Sequence, residues 1–349
     1  MDMSVGDRFM RRALELATLG RGHVSPNPMV GCVITHGSGS QERILGEGWH
    51  KQYGDWHAEV NAVNAVHPEN KHLLAEATVY VTLEPCSHWG KTPPCADLLI
   101  EHRVKRVVCC NDDPNPLVSG QGFAKLRAAG IQVETGILAE EGRLLNARFF
   151  TFFEQKRPYI LLKWAETTDG FIAGEGGKPV KISGDLAHRL VHRWRGEEDA
   201  ILVGTNTARL DNPRLNTRLW AGKNPIRVVL DRNLVLSANL HLFDGSQPTL
   251  VYHASQTNVP TNYPNVSYVF AESLDQLIGD LYLRKIQSVL VEGGAAVLTS
   301  FMEAGLWDEM RVFRSPTMLG AGVKAPTVRG ILRNREKIET DELTSYTKR

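Results

Sequence analysis

The pattern of apolar and polar residues divides the chain into two stretches, each of which alternates strand-like and helix-like segments. In the first stretch, short apolar runs predict strands at residues 29–35, 78–83 and 104–110. Residues 57–66 and 96–101 follow the first two strands and predict helices. Such alternation is typical of an α/β layer built around a sheet.

The second stretch repeats this alternation after a change in character. An aromatic run at residues 149–153 leads through four polar or charged residues to Pro158, and we place a domain boundary there, giving domains 1–150 and 151–349. The predicted strands lie at residues 159–164, 200–203, 226–230, 249–253 and 288–291, and the predicted helices at 185–195 and 295–303. The charged, weakly patterned residues 333–349 predict a surface segment or frayed tail.

The N-terminal residues 1–19 predict an amphipathic helix that ends before Gly20. Its apolar positions recur at helical spacing: Phe9, Met10, Ala13, Leu14 and Ala17. Charged residues interrupt this segment, so a secretory signal is not expected, and no apolar run approaches the roughly 20 residues of a membrane span. Five cysteines are too few for a disulfide framework, and an odd number cannot all pair within one chain. We therefore expect a cytoplasmic protein without membrane contact.

Composition and charge narrow the class of protein. A length of 349 residues suits about two domains, and 42% hydrophobic with 23% charged residues is ordinary for a water-soluble globular chain. The 40 basic and 39 acidic residues leave a net charge of +1, which provides no basic field for nucleic acid. We expect a small-molecule substrate, no nucleic acid, and a homo-oligomer whose size the sequence leaves open.

Three residues in the first stretch have the character of zinc ligands. His57 precedes a predicted helix, and Cys86 and Cys95 follow the strand at residues 78–83. Zinc binds imidazole nitrogen and thiolate sulfur, and three protein ligands leave one position open for water. Glu59, two residues after His57, is placed to act as a general acid/base, as in the nucleobase deaminases.

A structural role for these residues is the alternative: two core thiols and a surface histidine. The joint occurrence of all three ligand types, Glu59 and the proline before Cys86 favours the zinc site. The remaining cysteines lie in apolar strands, where small buried hydrophobic residues are the simpler interpretation: Cys32, Cys109 and Cys110.

Taken together, these residues resemble the cytidine deaminase superfamily and, more narrowly, the bifunctional riboflavin-biosynthesis deaminase/reductase family. The segments that carry the resemblance are residues 25–31, 46–50, 57–59, 90–95 and 115–120. The eight residues between Cys86 and Cys95 separate the chain from the transfer-RNA and cytidine branches. The resemblance implies hydrolysis of the 2-amino group of a diamino-(phosphoribosylamino)pyrimidinone, with Asn27, His50 and Lys91 contacting this substrate. An amide can read a pyrimidine edge and a lysine can bind a phosphate.

The second stretch lacks both the G-x-G-x-x-G fingerprint and a P-loop. Two strand-to-helix turns, at residues 201–205 and 289–294, are candidate phosphate contacts, although such turns are often only tight connections. Residues 199–215, and the stretch from Val291 through Glu309, resemble the reductase half of the same family.

The resemblance of the whole chain to this family implies an α/β fold with two domains. A three-layer cytidine-deaminase-like domain is followed by a dihydrofolate-reductase-like domain. It also implies one Zn²⁺ per chain, and NADPH for reduction of a ribosyl to a ribityl chain. The implied cofactor contacts are Ala165, Lys181, Thr207, Asp211 and Gly294, and the implied substrate contacts are Arg195, Leu215, Arg218 and Glu292. Arg195 and Arg218 suit a sugar phosphate, because each planar guanidinium offers paired N–H donors to the phosphate oxygens. Two positions depart from the family: Thr167 replaces a usual serine, and Lys181 a frequent aromatic residue.

The leading hypothesis is therefore a bifunctional enzyme of riboflavin biosynthesis that deaminates and then reduces. A monofunctional deaminase whose second domain only binds or dimerises is the closest alternative. A non-catalytic nucleotide-binding module with a structural zinc, in which Glu59 is dispensable, and a nucleic-acid deaminase are the others.

Overall fold

The computed structural model describes residues 5–89, 93–256, 259–260 and 263–348. The chain forms two compact units, Met1–Gln155 and Lys156–Arg349. The division therefore follows residue 155, five residues beyond the boundary predicted after residue 150. The aromatic residues 149–153 belong to a helix of the first unit, in which Phe149 and Phe150 pack with Leu83.

The first unit contains a five-stranded sheet in the order β2-β1-β3-β4-β5. Its elements are α1 (Val5–Thr18), β1 (Gly31–His36), β2 (Arg43–Trp49), α2 (Ala58–Ala65), β3 (Thr78–Leu83), α3 (Cys95–Glu101), β4 (Arg106–Asn111), α4 (Gln121–Ala128), β5 (Gln132–Thr135), α5 (Ala139–Leu145) and α6 (Ala147–Gln155).

Successive residues of the inner strands pack on opposite faces of this sheet, which makes the unit three layers deep. Cys32 and Ile34 of β1 pack with residues of α2, α3 and α4, whereas Val33 between them packs with α1. This alternation follows from the two-residue period of a strand. The predicted three-layer α/β domain is confirmed.

The second unit is built on a nine-stranded sheet in the order β11-β10-β9-β8-β12-β6-β13-β16-β15. Its elements are β6 (Tyr159–Thr167), β7 (Phe171–Ala173), α7 (Asp185–Glu197), β8 (Ala200–Gly204), α8 (Thr205–Asp211), β9 (Ile226–Leu230), β10 (Thr249–His253), β11 (Val266–Phe270), α9 (Leu274–Leu283), β12 (Ser288–Val291), α10 (Ala295–Glu303), β13 (Glu309–Ser315), β14 (Val323–Lys324), β15 (Ile331–Ile338) and β16 (Asp341–Thr347).

Seven strands of this sheet, from β11 to β13, run parallel. Helices α9 and α10 contribute to the core on one face, which includes Leu277, Phe301 and Val312. On the other face Trp194 of α7 stacks on Phe313 of β13, with ring centroids 5.5 Å apart. Because the carboxyl ends of parallel strands share one edge, the turns after β6, β8, β9 and β12 lie near each other.

The frayed tail that was the second alternative for residues 333–349 is wrong, because most of this segment forms strands, but the predicted surface position is confirmed for β15. Strand β16 pairs with β13 and buries Asp341, Leu343 and Thr344. Strand β15 lies at the sheet edge with nearly every side chain exposed. Its charged residues obscured the strand pattern in the sequence, although charge is a common feature of edge strands.

The other differences between the predicted and the observed elements are additional strands, several of which lie at the edges of the sheets. All eight predicted strands are present, together with strands that the pattern did not single out, including β2, β5 and β11. These three are polar or only partly buried, so they carry a weak periodic signal. Within the described part of the chain, no helix is both long and apolar enough to cross a membrane.

Candidate active sites

The three predicted zinc ligands come together at one edge of the first sheet. His57 lies at the residue before α2, Cys86 follows β3, and Cys95 begins α3. Their ligand atoms all lie within 4.8 Å of one another. The Nδ1 atom of His57 is 3.5 Å from the sulfur of Cys86 and 3.3 Å from that of Cys95.

These separations suit one zinc ion. With Zn–S near 2.3 Å and Zn–N near 2.0 Å, tetrahedral geometry places nitrogen and sulfur about 3.5 Å apart. Hydrogen bonds from Cys95 and His57 lower the pKa of Cys86 below the ordinary range of a thiol, against the opposing effect of burial, whereas the pKa of its partner Cys95 is raised. Cys86 is therefore readily a thiolate, which is the form that binds zinc.

Glu59 lies beside this cluster in the first turn of α2 and is 3% exposed. Burial raises the pKa of Glu59 to about 7, and the neighbouring His57 lowers it to a smaller extent. A carboxyl group with a pKa near neutrality can both accept and release a proton under cellular conditions.

Asn27 and His50 form a hydrogen-bonded pair next to the cluster. The ring of His50 meets that of His57 edge-on at a centroid distance of 5.4 Å. The Nδ1 atom of His50 is 3.1 Å from the carbonyl oxygen of Trp56, so this nitrogen carries the hydrogen. The Nε2 atom then accepts a hydrogen bond from the Asn27 amide at 3.1 Å. Burial lowers the pKa of His50, which favours this neutral form.

Lys91, the third predicted substrate contact of this domain, lies outside the described residues. The described residue nearest to it on its N-terminal side is Trp89, whose side chain is largely exposed.

In the second unit, a cavity of about 1270 Å³ opens at the carboxyl ends of the parallel strands. All nine residues proposed for this domain line it: Ala165, Lys181, Arg195, Thr207, Asp211, Leu215, Arg218, Glu292 and Gly294. The structure thus brings them together, and their individual roles stay predictions.

Arg195 and Glu292 are paired with each other at the base of this cavity. Nε and Nη2 of Arg195 donate to the two carboxylate oxygens of Glu292 at 2.7 and 2.8 Å, and Nη1 donates to the carbonyl of Asn216 at 3.2 Å. Burial alone raises the pKa of Glu292, but Arg195 and Lys163 outweigh it and hold the pKa at about 2. Glu292 is therefore a fixed carboxylate.

Lys163 and His188, neither of which the sequence pattern predicted as a site residue, also line this cavity. Lys163 is 4.0 Å from Glu292, and burial lowers its pKa. His188 lines the cavity one helical turn before His192, which is 1% exposed. A lysine inside the apolar run of β6 is the signal that could have identified Lys163, since charged residues are rarely buried without a partner.

Close contacts explain why the turn after β12 contains two glycines. A side chain at Gly293 would meet Val203 at 3.1 Å, and one at Gly294 would meet the hydroxyl of Thr207 at 3.3 Å. Gly294 also has a φ of +63°, a backbone conformation that favours glycine.

Lys181 also lines the cavity. Its side chain is 67% exposed and pairs with Asp185 at 2.7 Å, so a positively charged group lies near the cavity.

Comparisons with known proteins show the families to which the two units are similar. Residues 3–111 match the family model of the cytidine and deoxycytidylate deaminase zinc-binding region, and residues 158–348 match that of the RibD C-terminal domain. The chain is 40% identical over 331 residues to the riboflavin biosynthesis protein RibD of Bacillus amyloliquefaciens, covering 92% of this chain and 86% of that protein. It is 36% identical to RibD of Escherichia coli K12, covering 90% and 89%.

Solved structures show the same relationship. A diaminohydroxyphosphoribosylaminopyrimidine deaminase/5-amino-6-(5-phosphoribosylamino)uracil reductase from Thermotoga maritima superposes with a TM-score of 0.89 at 38% identity, covering 99% of each chain. RibD of Acinetobacter baumannii gives a TM-score of 0.86 at 32% identity, covering 98% of each.

These matches define the class of protein: a zinc-dependent deaminase domain joined to an NADPH-dependent reductase domain. The chain belongs to the RibD family of bifunctional riboflavin biosynthesis enzymes. These matches confirm the predicted fold, bifunctional activity and cofactors. They favour this interpretation over a deaminase whose second domain only binds or dimerises.

Proposed function

We propose that the chain hydrolyses the 2-amino group of 2,5-diamino-6-(5-phosphoribosylamino)pyrimidin-4(3H)-one and then reduces the ribosyl chain of the product. The observation that carries the first step is the convergence of His57, Cys86 and Cys95 beside the buried Glu59. The names given to the Thermotoga maritima relative support both substrates. We assign deamination to the first unit, Met1–Gln155, and reduction to the second unit, Lys156–Arg349.

In the deaminase domain His57, Cys86 and Cys95 would hold one zinc ion. Zinc bound there would supply a water molecule whose pKa is lowered to about 7. Glu59 takes a proton from the attacking water and delivers it to the departing amino group, because its buried carboxyl exchanges protons near neutral pH. The carboxylate therefore ends the reaction in the form in which it began.

Asn27 would read the edge of the pyrimidine, and His50 would orient it. Because His50 accepts from the Asn27 amide nitrogen, the Asn27 carbonyl oxygen is turned away from the histidine and can accept from a substrate amino group. We assign Lys91 to the substrate phosphate on the basis of the family resemblance.

Replacing His50 with phenylalanine tests this orientation. The ring is retained but the acceptor for Asn27 is lost, so KM for deamination should rise about tenfold, the value of one hydrogen bond. Steady-state ammonia release gives KM, and metal analysis should show unchanged zinc. The same substitution at the exposed His67 is the control. An unchanged KM at position 50 would contradict the assignment.

In the reductase domain NADPH would supply a hydride, and the cavity would align its nicotinamide with the sugar. Ala165, Lys181, Thr207, Asp211 and Gly294 are the proposed contacts to the cofactor. The size of the cavity and the close approach of the glycine turn to Thr207 fit a dinucleotide.

The substrate would lie over the Arg195–Glu292 pair. Glu292 is fixed in position to accept hydrogen bonds from ribose hydroxyls, and Arg195 retains two of its five N–H groups for phosphate oxygens. Arg218 is exposed and Leu215 is buried beside it in the loop, so Arg218 would add the second guanidinium.

We also propose a cytoplasmic homo-oligomer that uses no nucleic acid. The five cysteines, all of them described residues, form no disulfide, which supports a reducing compartment, and the net charge of +1 argues against a nucleic-acid partner.

The decisive experiment supplies the diaminopyrimidinone phosphate to purified, zinc-loaded protein and follows ammonia release, NADPH oxidation and zinc content together. We expect one zinc per chain and both activities. Cys86→Ser should remove most of the zinc and the ammonia release, while reduction of the separately supplied deaminated product continues. Cys110→Ser, at a buried thiol outside the cluster, should keep its zinc. Full zinc content in the Cys86 variant would contradict the ligand assignment.

A further inference from the structure

The segment that leads into Cys86 is tied to a distant loop by one carboxylate. Glu84 ends the run from β3 and is 4% exposed. Four backbone N–H groups of residues 113–123 surround it. Oε2 accepts from Gly120 at 2.9 Å and Asp113 at 3.3 Å, and Oε1 accepts from Gly122 at 2.9 Å and Phe123 at 3.3 Å.

Two of these bonds cap helix α4. The residue before this helix is Gly120, which has no side chain to satisfy the first amides of the helix. The Glu84 carboxylate, which accepts from the helix amides of Gly122 and Phe123, 38 and 39 residues further along the chain, takes that place and also lies at the positive end of the helix. The helix start is thereby fixed to the end of β3.

A close backbone contact fixes the same junction from the other side. A side chain on Gly122 would meet the carbonyl oxygen of Pro85 at 2.0 Å, so only glycine permits this approach. The next residue, Cys86, accepts through its carbonyl oxygen from Ala96 and through its sulfur from the amide of Cys95. Any shift of Pro85 therefore reaches two zinc ligands.

We propose that Glu84 is a positioning residue of the deaminase site, which holds Pro85, the loop at residues 113–120 and the start of α4 in place so that Cys86 meets His57 and Cys95. The Glu84 oxygens accept from backbone amides, so the role assigned to this residue is exerted through Pro85 and Cys86. The inference rests on the proposed zinc site and deepens it, since it adds a residue that no ligand motif includes.

Glu84→Gln is the sharpest test, because glutamine has nearly the same shape but only one acceptor oxygen. Its amide nitrogen would face two N–H donors, so one of the two pairs of bonds must be lost. We expect zinc to be removed by a chromogenic chelator at least about tenfold faster, the usual scale for residues that support metal ligands. The thiolate-to-cobalt absorption of the Co²⁺-substituted protein should also change.

Asp231→Asn is the matched control. Asp231 is 2% exposed and accepts from the amides of Val235 and Leu236 at 3.1 and 3.0 Å, in the reductase unit. Both variants should lose thermal stability, but only the Glu84 variant should release zinc faster. A zinc release rate in the folded Glu84 variant within twofold of the unsubstituted protein would overturn the proposal.

A measurement on the unsubstituted protein keeps the proposal testable if the variant does not fold. Zinc loading should slow hydrogen exchange at the amides of Gly120, Gly122 and Phe123, because these amides and Cys86 are held through the same carboxylate. Unchanged exchange at all three would refute the coupling. A protein that takes up no zinc at all would instead refute the proposed metal site.

Discussion

Glu59→Gln is expected to lower the rate of deamination by a factor of about 100 or more while zinc remains bound. The glutamine side chain fills the same buried space but cannot accept the proton of the attacking water, and removal of a general acid/base typically has an effect of this size. Ammonia release in single-turnover and steady-state assays measures it, with zinc content determined on the same sample.

The second activity provides an internal control for this variant. Reduction of the separately supplied deaminated product should continue at its usual rate, because Glu59 belongs to the first unit and the reductase cavity to the second. Glu76→Gln, at a carboxylate whose side chain is 77% exposed, should leave both activities unchanged. Undiminished ammonia release in the Glu59 variant would show that another group moves the proton.

The deaminase site was predictable because its chemistry is local in sequence. His57 and Glu59 stand two residues apart at the start of a helix, and Cys86 directly follows a proline after a strand. The parts that hold this site together were not predictable in the same way. Glu84 meets partners 29 to 39 residues away, and a glutamate before Pro85 has no periodic signal that distinguishes it from a surface residue.

The reductase site shows the same limit more strongly. Arg195 and Glu292 were each proposed as substrate contacts, but their bidentate pairing spans 97 residues and depends on how β12 and α7 meet. Likewise, strand β16 is recognisable only through its pairing with β13. Long-range pairing depends on tertiary context, whereas motifs and periodicity record local structure.

Arg195→Met is expected to have the largest effect on the second unit. Removing the guanidinium leaves the carboxylate of Glu292, whose side chain is 8% exposed, with the more distant Lys163 at 4.0 Å as its remaining ion-pair partner among the described residues. Loss of one partner of a buried ion pair typically costs about 3–5 kcal/mol of folding free energy. Denaturant unfolding of the second unit should show this loss, and NADPH oxidation should disappear while ammonia release continues.

The pH dependence of stability should change in the same variant. In the unsubstituted protein the pKa of Glu292 is lowered to about 2, from an unfolded value near 4.3. Its stabilising contribution is therefore complete above about pH 4.5 and is lost as the pH falls toward 2. Without Arg195 this acid-dependent loss should shrink. Arg193→Met, which breaks the exposed pair with Glu197 on the same helix, should cost at most about 1 kcal/mol.

A double substitution separates the structural from the functional role of the pair. Arg195→Met combined with Glu292→Leu removes both charges of the pair, and well-packed apolar replacements of a buried pair are often neutral or stabilising. Lys163 loses its acidic partner in this variant, but burial lowers its pKa and favours the neutral amine. We expect the double variant to be more stable than Arg195→Met alone, measured by the same unfolding experiment. NADPH oxidation should nevertheless stay absent, because no carboxylate remains to hold the ribose hydroxyls. Recovery of reduction together with stability would show that the pair serves only the fold.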